Sequence, residues 1–220
     1  MKTQVAIIGG GPSGLLLSQL LNRAGVETVV LERATRDHVL SRIRAGVLED
    51  GTVEMLRRAG VGDRMDAEGT PHHGVYMTDD DLKMRIDFKA LTGRSVMVYG
   101  QTEVTADLYA AQDAKGTTIL HGVEDVVIEG AQSDAPCVTF THDGARQRLE
   151  CAYVVGCDGF HGVSRKTIPD GIRREYERVY PFGWLGILSR TKPAHEELIY
   201  ANSANGFALA SMRSERLSRY

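Results

Sequence analysis

The chain has 220 residues, 42% of them hydrophobic and 25% charged. Such a mixture excludes a disordered or fibrous chain and suits a globular protein of roughly one or two domains. A formal net charge of −3 and a pI near 6.2 exclude a broad cationic surface for nucleic acid or anionic lipid. The 24 glycines cluster with Pro, Asp and Ser instead of repeating, which points to tight turns and not to collagen.

In chain order, Thr3–Ile8 (TQVAII) is short, apolar and β-branched, as a buried parallel strand should be. Gly9 to Gly14 then fits G-x-G-x-x-G, Leu15–Ala24 reads as a helix with Gly25 after it, and Glu27–Leu31 reads as a second buried strand closed by Glu32. Gly9 permits the tight turn, Gly11 lets a pyrophosphate approach the backbone, and Gly14 lets helix and strand pack closely. The helix N-terminus, with Ser13 in its first turn, presents free N–H groups to phosphates. Glu32, 23 positions after Gly9, can accept hydrogen bonds from a ribose diol. The pattern predicts dinucleotide binding and leaves NAD and FAD both open.

Arg33, Arg36, Arg42 and Arg44 follow within a dozen residues. Arg42 and Arg44 would share one face of an extended segment, where they suit a pyrophosphate or form a solvated basic loop. A helix is expected from about Leu48 to Arg58. Val75–Thr78 and Lys83–Phe88 read as strands, with Asp79–Asp81 as a hairpin tip. Ser95–Tyr99 reads as a strand, and Gln101–Lys115 as a helix with Thr102 as N-cap. Thr117–Leu120, Val123–Glu129, Cys137–His142 and Arg146–Glu150 form a run of strands expected to be antiparallel, with Asp143-Gly144 as a turn. Ala152–Cys157 reads as another buried strand, followed by Asp158-Gly159.

The three cysteines, Cys137, Cys151 and Cys157, lack C-x-x-C spacing, and no histidine pair has H-x-x-x-H spacing. Neither a disulfide framework nor a metal site is expected, and a reducing cytosol is the natural setting. The N-terminal apolar stretch is broken by Gly9–Gly14, which argues against a signal peptide. No apolar run approaches the roughly 20 residues that span a bilayer. A cytoplasmic protein with no membrane or nucleic-acid partner is therefore expected.

Together, the fingerprint and the segments SRIRAGVLEDG (41–51), VYGQTEV (98–104), GCDGFHGVSR (156–165), RVYPFGWLGIL (178–188), ELIYAN (197–202), GFALASMRS (206–214) and SRY (218–220) resemble the class A flavoprotein aromatic hydroxylases. The likeness is strongest to the branch that acts on 4-hydroxybenzoate. In the D-G motif the serine and arginine, Ser164 and Arg165, depart from the D-G-x-x-S-x-x-R placement.

The resemblance implies an α/β fold in which a Rossmann-like, glutathione-reductase-type FAD-binding domain (1–71 and 99–178) is interleaved with a mixed β-sheet substrate domain (72–98 and 179–220). It implies hydroxylation ortho to the phenol, giving 3,4-dihydroxybenzoate. NADPH, or NADH, would reduce the flavin, O₂ would add at C4a, and the hydroperoxide would pass its terminal oxygen to the ring. It places Gly9, Gly11, Ser13, Gly14, Glu32, Arg42, Arg44, Ala45, Gly46, Val47, Gln101 and Asp158 on FAD. Arg33, His38, Arg42 and His161 match positions associated with NADPH, and Arg36 is a further candidate for its 2′-phosphate. Tyr200 matches the residue on the substrate phenol, Ser211, Met212 and Arg213 the carboxylate clamp, and His72 the outer end of a proton relay.

Residue chemistry agrees. Ser211 and Arg213, two apart on a strand, offer a hydroxyl and a guanidinium fork to a planar benzoate. A related hydroxylase for another phenol and a non-catalytic FAD-binding module are the alternatives. The family implies a homodimer. Its pattern continues beyond Tyr220 with a further glycine–aspartate flavin motif and another pocket tyrosine. The chain is therefore expected to be an N-terminal piece, truncated within the substrate domain, and a poor catalyst alone.

Overall fold

The computed structural model describes residues 1–42 and 44–220. It divides into two compact units, Met1–Arg44 with Leu56–Gly62 and Gln101–Tyr176, and Ala45–Met55 with Asp63–Gly100 and Glu177–Tyr220.

The first unit is built on four parallel strands in the order Tyr153–Gly156, Val5–Ile8, Thr28–Leu31, Thr118–Leu120. The two central strands are buried along their whole length, because both faces are covered. Ala6, Ile8, Val29 and Leu31 point to one side, where they pack with Val138, Phe140 and Leu149 of a three-stranded antiparallel sheet. Val5, Ile7 and Val30 point to the other, against Leu17 and Leu21 of the helix Pro12–Arg23. This alternation is the period-two consequence of strand geometry. A polar seam joins that helix to Gln101–Lys115: Gln112 Nε2 donates to Leu15 O at 3.1 Å, and Asn22 Nδ2 donates to Gln112 Oε1 at 3.2 Å.

Thr118–Leu120 belongs to the parallel sheet and not to the antiparallel run expected of it, because it pairs with Thr28–Leu31. The antiparallel sheet contains Glu124–Glu129, Cys137–His142 and Ala145–Glu150. Its turn at Asp143 and Gly144 has φ of 52° and 73°, the geometry that an Asp-Gly hairpin favours. Thr102 lies inside a helix that starts at Gln101, so it is not the N-cap, and its hydroxyl donates to Arg42 O at 3.5 Å. A short helix, Arg36–Ser41, was not foreseen; Thr35 caps it by accepting from His38 N at 3.3 Å.

The second unit holds a six-stranded sheet in the order Leu188–Ser189, Leu217–Arg219, Gly206–Ser214, Leu198–Ser203, Gly74–Asp79, Leu82–Asp87. Leu198–Ser203 runs parallel to Gly74–Asp79, and the other neighbours are antiparallel, so the sheet is mixed. A smaller sheet joins Val47–Leu48, Val96–Val98 and Thr70–His72. These pairings group residues 45–55 and 63–71 with the second unit. Strand pairing across the chain outweighs adjacency in sequence here. Phe88–Thr92, read partly as strand, is a helix capped by Asp87, whose Oδ1 accepts from Ala90 N at 2.8 Å.

Candidate functional site

The glycine turn occupies the end of the first strand. Gly9 has φ of 106°, a region that side chains with a Cβ avoid. A Cβ at residue 14 would strike the Gly9 carbonyl. Strand and helix therefore approach as closely as the fingerprint implies. At Gly11, the residue before the helix, an added Cβ would meet nothing within 4 Å. The backbone there is open to a ligand, and Pro12 at the first helical position removes one N–H that would need no helical partner.

Glu32 is buried, and both its oxygens are engaged. Oε2 accepts from Gly10 N at 2.6 Å and Oε1 from Ala34 N at 2.8 Å. The carboxylate thus braces the glycine turn, and it keeps lone pairs for a diol. A groove of about 840 Å³ runs over Gly9, Gly11, Glu32, Arg33, Thr35, His38, Arg42, Asp158 and His161. That volume falls within the range of small-molecule sites. Exposed Arg33, His38 and Arg42 stand along it. Arg36 does not. Its guanidinium pairs with both oxygens of Asp113, at 3.1 and 2.6 Å, and lies 4.6 Å over the Tyr109 ring. It is withdrawn from the 2′-phosphate role considered for it.

Asp158 does more than end a strand. Its Oδ2 accepts from Ser164 N at 3.0 Å and Ser164 Oγ at 3.1 Å. It thereby ties down the start of the helix Val163–Thr167, while Gly162 leaves the room that the carboxylate fills. Ser164, which the D-G motif singles out without giving it a role, is the neighbour that holds the aspartate. Ser13 lines a second cavity, of about 760 Å³, with Asp158, Gly159 and the apolar Ile128, Val154 and Ile168. Gln101, half-buried, begins its helix. The expectation that Arg42 and Arg44 share a face runs through Ile43, which lies outside the described residues.

In the second unit Gly46 is buried, between exposed Ala45 and Val47. A Cβ on it would strike the Arg213 guanidinium, so two residues 167 positions apart in the chain touch. Arg213 is half-buried, and burial together with the nearby Arg219 cation lowers its pKa. Among the described residues it has no carboxylate partner. Ser211 is 4% exposed and Met212 half-buried. The pairing with Leu217–Arg219 shifts between Met212 and Ser214. Arg213 is thus the extra residue of a β-bulge, which re-aims its side chain and replaces the simple shared-face geometry expected of it. Tyr200 lies on the adjacent strand, with its ring 6.1 Å from Phe207. His72 ends its strand, buried at 2% exposure, with no partner at either ring nitrogen among the described residues. Burial pushes its pKa down.

These features define a nucleotide-binding α/β protein whose turn, open Gly11 backbone and braced Glu32 fit the pyrophosphate and ribose of FAD. The chain belongs to the FAD binding domain family, whose profile it matches over residues 2–220. It is 49% identical over 221 residues to a p-hydroxybenzoate hydroxylase of Acinetobacter baylyi, covering 100% of this chain and 54% of that relative. It is 32% identical over 177 residues to a probable NADH-specific resorcinol 4-hydroxylase of Rhodococcus jostii, covering 74% of this chain and 32% of the relative. The chain thus spans about half the length, or less, of these curated relatives. Its fold matches that of PqsL, a probable FAD-dependent monooxygenase from Pseudomonas aeruginosa, with a TM-score of 0.82 at 22% identity over 100% of this chain and 59% of that one. Among the described residues, no helix is long and apolar enough to cross a membrane.

Proposed function

We propose that the chain carries the FAD site and part of the substrate site of an aromatic hydroxylase that converts 4-hydroxybenzoate to 3,4-dihydroxybenzoate. The observation that carries this reading is Arg213: a half-buried guanidinium against Gly46, with no acidic partner among the described residues. An unpaired cation held away from water favours an anion of matching shape, and a benzoate carboxylate matches a guanidinium fork. The 49% identity to a p-hydroxybenzoate hydroxylase supports the same substrate.

In this reading residues 1–71 and 99–178 serve FAD, and 72–98 and 179–220 serve the substrate. Gly9, Gly11, Ser13 and Gly14 cradle the pyrophosphate, Glu32 takes the ribose, and Asp158 holds the turn beside it. Arg42, Arg44, Ala45, Gly46, Val47 and Gln101 complete the flavin contacts. Bound FAD would accept electrons from a nicotinamide and activate O₂.

The chain's own groups prepare the ring. Arg213 and Ser211, flanked by Met212, anchor the carboxylate, and Tyr200 directs its hydroxyl at the phenol. Electrophilic oxygen attack needs an electron-rich ring. Ionising a phenol of pKa near ~10 at neutral pH requires roughly 4 kcal/mol of differential stabilisation. A hydrogen bond aimed at the oxyanion supplies part of this, and His72 takes the proton onward. Arg33, His38, Arg42 and His161 favour NADPH over NADH as reductant. Assembly as a homodimer in the cytoplasm belongs to the same reading.

The test is the visible spectrum of the FAD-loaded chain titrated with 4-hydroxybenzoate. A saturable change in the flavin band that phenol alone does not produce is expected. Equal responses to phenols without a carboxylate would remove Arg213 as anchor and point to another substrate. FAD binding with no aromatic response would leave a dinucleotide module. The ratio of kcat/KM for NADPH and NADH in a complete enzyme carrying this chain checks the reductant.

A further inference from the structure

His72 is a buried group that its surroundings leave unsatisfied. Its side chain is 2% exposed, and neither ring nitrogen has a partner among the described residues. Buried polar atoms are nearly always hydrogen-bonded, so an orphaned imidazole asks for a reason. The residue after it, His73, is tied by Nδ1 to Ser95 Oγ at 2.7 Å.

The corner they form is braced from one side. Gly74–Asp79 runs parallel to Leu198–Ser203, with Val75 opposite Leu198. Glu197, one residue before Leu198, therefore comes level with the His73–Gly74 corner. Its carboxylate is held in place by a fork: Arg85 Nε donates at 2.7 Å and Arg85 Nη2 at 2.8 Å. The backbone N–H groups of Gly74 and His73 support the same carboxylate. Arg85 is fixed in turn by Asp87 at 2.6 Å, and a Cβ on residue 74 would run into its guanidinium. The Glu197 N–H donates to His195 Nδ1 at 2.9 Å, and that ring stands edge-on to Tyr76 at 4.6 Å.

We propose that Glu197 is a positioning residue for proton transfer through His72: the Arg85–Glu197 fork fixes a negative charge against the corner that carries the imidazole, and this charge sets how readily the imidazole gains and loses a proton. The inference deepens the hydroxylase reading and rests on it for the use to which the proton is put. Four charged or titratable neighbours act on His72. Glu197 favours its protonated form; His195, His73 and Arg213 oppose it. Burial outweighs Glu197 and pushes the pKa down, and the fixed carboxylate opposes that push. A ring that is too hard to protonate cannot accept a proton from the substrate side, and one that is too easily protonated does not release it.

The test is the NMR titration of the His72 Cε1–H signal in the 220-residue chain, assigned by its loss in His72→Asn. Loss of the charge in Glu197→Gln is expected to lower the His72 midpoint by roughly one pH unit. Glu197→Asp keeps the charge but draws it back by one methylene, and a smaller fall is expected. If Glu197 merely braced the corner, either change would admit water, relieve burial and raise the midpoint. A rise or an unchanged midpoint in Glu197→Gln, or a rise in Glu197→Asp, overturns the proposal. The midpoints are read without flavin, substrate or turnover. An absent flavin response to 4-hydroxybenzoate would therefore sink the hydroxylase reading without moving them.

Discussion

The glycine-turn groove of the first unit and the Tyr200–Ser211–Arg213 face of the second solve different physical problems. In the groove, the two carboxylates are already committed to the chain itself: Glu32 to the Gly10 and Ala34 amides, Asp158 to Ser164. At the turn itself, what is offered to a ligand is backbone, at Gly11 and the helix start. In the second unit, Arg213 and His72 are drawn out of water without partners among the described residues. One region is shaped by satisfying its side chains, and the other by leaving some unsatisfied. On the proposed reading, a cradle for a large cofactor gains from rigidity, whereas a site for a small acid and a proton needs groups with free hydrogen-bonding capacity.

The comparison breaks most visibly at two glycines. Gly14→Ala puts a Cβ onto the Gly9 carbonyl, and a loss of about 3 kcal/mol with loss of FAD binding is expected. Gly11→Ala meets nothing within 4 Å. Its melting temperature should stay put while FAD affinity falls about tenfold, about 1.4 kcal/mol. Thermal melts paired with flavin titrations check both, and parental affinity in Gly11→Ala would end the pyrophosphate assignment.

Arg213→Ala probes the other region. The response of the flavin band to 4-hydroxybenzoate should weaken by up to about a hundredfold, since a charge-assisted hydrogen bond is worth about 1.5–3 kcal/mol. Arg213→Lys, which keeps the charge and loses the fork, should fall between. A response independent of residue 213 would make the unpaired guanidinium irrelevant to substrate.

The pH dependence of stability is next in size. Burial pushes the His72 pKa below its ordinary 6.5. Below pH 6.5 the unfolded chain takes up a proton that the native ring refuses, so stability falls as pH drops. The loss is at most about 1.4 kcal/mol per pH unit for this group, and it stops growing once pH passes the folded-state value. Melting temperatures between pH 7.5 and 5.5 should decline less steeply in His72→Asn, about a unit either side of 6.5 being the range that matters. Identical slopes would mean that folding leaves the pKa of the ring where the unfolded chain has it, so that burial does not depress it.

The smallest effect is expected at Ser164→Ala. It removes the hydroxyl bond to Asp158 and keeps the backbone one, for a cost of about 1 kcal/mol in thermal or urea unfolding. A larger loss would show that the D-G turn depends on the serine more than on the backbone amide.

Much of the first unit was legible in the sequence because its signals are local. The strand Val5–Ile8, the glycine turn, the helix Pro12–Arg23, the strand Thr28–Leu31 and Glu32 follow one another directly, and their periods and glycines carry the geometry. The Asp143-Gly144 hairpin was legible for the same reason. Arg36 was misread because its partner, Asp113, stands 77 positions away. A guanidinium in a basic stretch looks free until the fold brings an acid to it. Thr118–Leu120 was misassigned because three residues carry no sign of whether their neighbour runs parallel or antiparallel.

Consecutive residues carry the dinucleotide turn, the acid that braces it and the kinds of residue available to a substrate, since short-range sterics and period-two burial are local. Tertiary structure alone decided the rest. It set Arg213 in a bulge against Gly46, paired Arg36 with Asp113, and closed the Arg85–Glu197 fork on the corner beside His72. Charge, burial and hydrogen-bond satisfaction depend on distances between segments far apart in the chain, and only folding sets those distances.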